Sequence, residues 1–216
     1  MLWALRSRRT HASPLPGAGS RWWAPHRASW WIGVLFAIGS VCFMLGPFPG
    51  FINLVGSAAD GTVFFVGSLF FTSAALLQFR EAELHTVDWR ASLIQLVGTV
   101  FFNISTFRGM QDSFDSAGVN RLIWAPDAIG SACFLISGVL AYMAVRHLRG
   151  QDRTEWRLAA INLAGCVLFA VSAIASFVVP ETGDALDLAA ANWSTSLGAL
   201  CFLVGALMLM PRRAPE

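Results

Sequence analysis

The chain carries apolar runs of membrane-spanning length at residues 30–46, 61–79, 91–107, 126–145, 158–179 and 188–210, and none holds an ionised side chain near its middle. No other feature limits the fold as much. Roughly 17–25 apolar residues in a helix cover a hydrocarbon layer about 30 Å thick. Lipid offers no partner for backbone N–H and C=O groups, so each run must satisfy its own as a helix. The expected fold class is therefore all-α, an integral membrane six-helix bundle. Composition agrees: charged residues make up 13%, about half the share in a soluble domain.

The arginines orient the bundle. The chain has no lysine, and its basic residues gather on alternate loops. Arg6, Arg8, Arg9, Arg21 and Arg27 precede the first run; Arg80 and Arg90 join the second to the third. Arg146, Arg149, Arg153 and Arg157 lie between the fourth and fifth, and Arg212 and Arg213 follow the sixth. Only Arg108 and Arg121 fall on the other side, which instead holds Asp60, Asp112, Asp115, Asp127, Glu181, Asp184 and Asp187. Positive charge stays on the cytoplasmic side, so both termini are expected inside a bacterial inner membrane. Trp30, Trp31, Trp89 and Trp156 at one interface and Trp124 and Trp193 at the other fit an aromatic belt. Residues 1–29, basic and free of acids, are expected to form a flexible cytosolic tail, and residues 211–216 a short cytosolic end. The tail is too long, and the run after it ends too abruptly at a Gly-Pro-Phe-Pro-Gly turn, for a signal peptide.

A short motif recurs in every run. Residues 37–43 read AIGSVCF and residues 128–134 read AIGSACF. Its reduced form, a glycine followed four residues later by phenylalanine, gives the pairs Gly39 and Phe43, Gly67 and Phe71, and Gly98 and Phe102. The later copies are Gly130 and Phe134, Gly165 and Phe169, and Gly198 and Phe202. Residues four apart share one helix face. There glycine admits a neighbouring backbone and phenylalanine fills the adjacent groove, so the motif reads as helix packing. Offsets of 91, 98 and 100 between glycines 39 and 130, 67 and 165, and 98 and 198 suggest two three-helix repeats. Three is odd, so the second copy would enter the membrane inverted, as in many transporters.

Trp31-Ile32-Gly33, the IGSxxF run at residues 38–43, the short outer turn and the FxxGSxxF run at residues 64–71 resemble the YrhK-like family of small bacterial membrane proteins. The resemblance covers residues 30–78, with an echo at 129–134. It implies a bacterial membrane protein of uncharacterised activity and carries over no functional residue.

Candidate functional residues are few. Asp60 and Asp127 sit at helix starts on the acidic side, where an acid also suits the positive end of the helix dipole. Gln95 and Asn103 lie two turns apart in the third run, and Asn162 lies in the fifth. Such amides usually bond between helices, although Asn103, Thr99 and Ser131 also outline a conceivable polar path. Glu81, Glu83, His85 and Asp88 cluster before the third run without a metal-binding spacing, so no metal or other cofactor is expected. Cys42, Cys133, Cys166 and Cys201 have no paired spacing and read as small packing residues. Nucleophile elbows, phosphate loops and dinucleotide fingerprints are missing, so no catalytic residue is assigned. The expected role is a structural or interaction membrane protein. The alternative is a small-solute or ion transporter with its site between two three-helix halves. Expected partners are the bilayer, anionic lipid head groups near the cytosolic arginines, and a second copy or another membrane protein; nucleic acid is not expected.

Overall fold

The computed structural model describes residues 23–111, 114–150 and 153–210. Most of the expected basic tail, Asp112 and residues 211–216 with Arg212 and Arg213 lie outside the described residues. The described part is all-helical and contains no strand, only an isolated antiparallel bridge between Val178 and Ala185. The long helices are α1 (Ala28–Leu45), α2 (Ser57–Glu81), α3 (Val87–Gly109), α4 (Ala125–Val145), α5 (Arg153–Ala175) and α6 (Leu188–Leu209).

Among the described residues, α1, α2, α5, α6 and the helical stretch Ser116–Arg149 that contains α4 are long and apolar enough to cross a membrane. Each such window is 33–44% buried, and exposed apolar side chains such as Ile38, Leu69, Ile136, Val171 and Leu200 lie along these helices. Helix α3 falls outside this set. Its interior carries Gln95, Thr99, Asn103 and Thr106, and it turns these residues toward its neighbours.

Several ends differ from the expected ones for local reasons. Helix α3 begins early because Thr86 Oγ1 accepts from the Trp89 N–H at 3.1 Å. Asp187 Oδ1 caps α6 by accepting from the Ala190 N–H at 2.9 Å. The loop before α4 is itself helical: Ser116–Val119 leads into a π turn at Asn120–Trp124. That turn falls just ahead of Pro126, whose nitrogen cannot donate to the carbonyl four residues back. A short helix, Pro49–Val55, replaces the simple turn after α1.

Helix α5 stops at Ala175 rather than running to residue 179. The Asn120 amide donates to the Val178 carbonyl at 2.6 Å and accepts from the Val178 N–H at 3.0 Å. One side chain thus satisfies both backbone groups of an extended residue, which stabilises the non-helical path.

Each long helix packs on its neighbours in sequence, and α1 packs on α6, so the contacts close into a ring. Neighbours run antiparallel. Thr72 meets Asn103 while Ser68 meets Thr106 across α2 and α3. Ser137 Oγ donates to the Ala91 carbonyl at 2.8 Å across α4 and α3. Ser172 Oγ donates to the Ala191 carbonyl at 3.0 Å across α5 and α6. The seam between α6 and α1 is joined by Ser196 Oγ donating to the Met44 carbonyl at 3.1 Å. Arg27 before α1, Arg80 and Arg90 around the start of α3, and Arg146, Arg149, Arg153 and Arg157 around the link between α4 and α5 therefore share one end of the ring.

Candidate functional site

The motif glycines and phenylalanines form the centre of the ring. A Cβ built on Gly39 would lie 2.9 Å from the Gly67 carbonyl oxygen and 2.9 Å from the Phe71 ring. On Gly67 it would lie 2.7 Å from Cys42 Cβ and 3.0 Å from the Phe43 ring. The exchange repeats between Gly98 and Gly130 and between Gly165 and Gly198, each glycine seating the phenylalanine of its partner helix. Only glycine allows backbones this close. The close pairs are α1 with α2, α3 with α4, and α5 with α6.

All six motif phenylalanines then meet on the axis. Phe43 lies 5.4 Å from Phe71 and 6.0 Å from Phe169, Phe102 lies 5.0 Å from Phe134, and Phe169 lies 5.1 Å from Phe202. Most pairs are edge-to-face or tilted, the geometry that the ring quadrupole favours, and each contributes about 0.5–1.5 kcal/mol beyond its buried area. In lipid this matters more than in water, because apolar side chains gain little by leaving an apolar solvent. The rings close the axis to solvent.

A polar layer lies two helical turns from this plug. Gln78 follows Phe71 by seven residues, while Gln95 precedes Phe102 and Asn162 precedes Phe169 by seven. A spacing of seven returns each residue to nearly the same helix face as its phenylalanine. Because α2 runs opposite to α3 and α5, all three steps lead toward the arginine-rich end. The amides line one cavity, walled by Phe36, Phe71, Phe134, Phe202 and Ala206. The space admits a water-sized guest and nothing much larger. Gln78 is 2% exposed, and neither its Oε1 nor its Nε2 has a hydrogen-bond partner. An unsatisfied buried polar group costs about 1–3 kcal/mol.

The expected candidates divide. Gln95, 7% exposed, is in the cavity, whereas Asn103 is not among its lining residues. The Asn103 amide donates to Thr72 Oγ1 at 2.9 Å, a bond between α3 and α2. Thr99 Oγ1 donates to the Leu96 carbonyl of its own helix. Asn103 and Thr99 are thus engaged in bonds between and within helices, while Ser131, the third residue of the conceivable polar path, is buried at 2% exposure. Asp127 is half-buried in the first turn of α4, seven residues before Phe134 and on the opposite side of the plug from the amides. Asp60 is buried in the first turn of α2, with Oδ1 unpartnered.

Gln78 was missed in the sequence because it is the penultimate residue of the run 61–79, where polarity reads as interface. Helix α2 continues to Glu81 and holds it inside. The seven-residue spacing from Phe71 was the signal that could have found it. On the arginine-rich end, Arg149 lies over the Trp156 ring at 5.1 Å, and Trp156 Nε1 donates to Tyr142 at 3.3 Å. Among the described residues, no three acids, histidines or cysteines gather closely enough to hold a metal.

No family model, curated protein or solved structure matches the chain.

Proposed function

We propose that the chain is a six-helix integral protein of the bacterial inner membrane with a structural or interaction role, both termini being cytoplasmic. The observation that carries this reading is the closed axis, in which six phenylalanines from six helices fill the space a passage would need. The outward apolar surface supports the membrane, since in water it would be an exposed patch on every side. The arginine-rich end supports the orientation, and the resemblance to the YrhK-like family implies only a bacterial membrane protein. Helix α3 is the sixth span in this reading; its amides and hydroxyls turn to α2 and the cavity rather than to lipid. Anionic lipid head groups at the arginines and a second copy or another membrane protein are its partners. In vesicles reconstituted with the full chain, small-solute permeability should equal that of protein-free vesicles, and cross-linking in native membranes should capture a defined neighbour.

The packing supports three helical hairpins as the repeating unit in place of two inverted three-helix halves. Turning a trio over about an axis in the membrane plane reverses the sense in which its helices circle the ring. Yet α1 to α3 and α4 to α6 follow one another in the same sense, so no rotation superposes them. Shifting by one hairpin is a plain threefold rotation. It also matches the close glycine pairs.

A second reading, carriage of a small solute, is favoured by the buried, unpartnered Gln78. Under it the site lies on the ring axis between hairpins. Vesicle uptake that falls when Asp60→Asn, Asp127→Asn or Gln78→Leu is introduced would establish it over the structural role.

A further inference from the structure

Gln78 has a complete primary amide, two donors and one oxygen with two lone pairs, and no protein group satisfies either end. It lines a small cavity together with two further amides, Gln95 and Asn162, from other helices. Three amides converging on one small cavity, one of them wholly unpartnered, mark a place for a guest.

The lining chemistry limits that guest. Every other lining residue is phenylalanine or alanine, so no ionised group is available to compensate a charge. A cation would gain something from the aromatic faces but would lie buried without a counter-ion, which the interior of a helical bundle does not tolerate. The guest is therefore neutral. It must both donate and accept, because Gln78 offers both kinds of group unsatisfied. It must also be about the size of water. A buried water typically makes two to four hydrogen bonds to polar groups that lack other partners, and the Gln78 amide offers both a donor and an acceptor of that kind beside the amides of Gln95 and Asn162.

We propose that the cavity lined by Gln78, Gln95 and Asn162 is a binding site for one long-lived neutral hydrogen-bonding molecule, water in the resting protein. It lies beneath the phenylalanine plug and satisfies the Gln78 amide. The site stands whether or not anything crosses the bundle.

The test uses the full chain in detergent micelles or nanodiscs, with glutamine side chains labelled with nitrogen-15 and water itself as the probe. Replacing Gln95, Gln111 and Gln151 in turn assigns the remaining signal to Gln78, so the assignment does not depend on a Gln78 variant that folds. The Gln78 amide protons should give cross-relaxation peaks at the water frequency, with the sign of a contact lasting longer than tumbling. Asn162→Leu should weaken those peaks several-fold. Gln78 amide protons in contact only with ring protons, or only with Gln95 and Asn162 directly, would show a dry cavity and overturn the proposal. Peaks that Asn162→Leu leaves unchanged would overturn the three-amide site.

Discussion

A Cβ on Gly98 would lie 3.0 Å from the Gly130 carbonyl oxygen, and one on Gly130 would lie 3.0 Å from that of Gly98. The two backbones occupy each other's side-chain space. Because each glycine also seats the other helix's phenylalanine, one contact sets both the spacing of a hairpin and the position of two rings on the axis.

Gly98→Ala and Gly130→Ala should each destabilise the protein by roughly 1–3 kcal/mol, the usual range for overpacking a tight contact. Gly50→Ala, where nothing lies within 4 Å, should change little. Thermal unfolding in one detergent reads all three. Equal midpoints would show that the backbones can part without loss.

Phe134→Ala removes a ring that meets Phe71, Phe102, Phe169 and Phe202. The expected loss is about 3–5 kcal/mol, as for large-to-small changes in packed cores. Phe107→Ala, on an exposed ring of α3, should cost far less.

The bond between Asn103 and Thr72 ties α3 to α2. A double-mutant cycle with Asn103→Leu and Thr72→Val should give a coupling of about 0.6 kcal/mol, the average for such bonds inside membranes. Zero coupling would leave Asn103 free for another role.

Asn120→Ala leaves the Val178 N–H and carbonyl without their side-chain partner. Hydrogen exchange across residues 176–187 should rise by an order of magnitude or more, while α5 itself stays protected. Unchanged exchange would mean that the backbone bonds from Val179 to Asp184 and Leu186 to Phe177 suffice alone.

An enzyme reporter active only outside the cytoplasm, fused after Arg149, should be silent, and one fused after Thr182 active. The reverse pair would invert the orientation taken from the arginines.

The long helices were legible in the sequence because lipid permits few alternatives for an apolar run. The packing role of the motif was legible too, since Gly98 and Phe102 must share a helix face. What the sequence left hidden was which helices pair. AIGSVCF and AIGSACF suggested a kinship of α1 with α4, yet Gly39 meets Gly67 and Gly130 meets Gly98. Both strings meet the same packing demand at different places on the ring. The cavity stayed hidden for a related reason. Gln78, Gln95 and Asn162 are remote in the chain and share a layer only once antiparallel helices are set side by side. Asn120 bonding to Val178 is likewise a contact between two loops that no local pattern announces.

The closure of the ring by α1 and α6 has a consequence for how the protein is made. Ser196 meets the Met44 carbonyl 152 residues away in the chain. At synthesis rates of about 5–20 residues per second, α1 waits roughly 8–30 seconds for the helix that completes its surroundings. During that interval the face of α1 that will meet Ala206 and Met210 at Gly33 has no partner from its own chain. The seam between first and last helices is thus the last joint to form. It is also the place where a chain truncated before α6 would leave the faces of α1 and α5 open to a second chain.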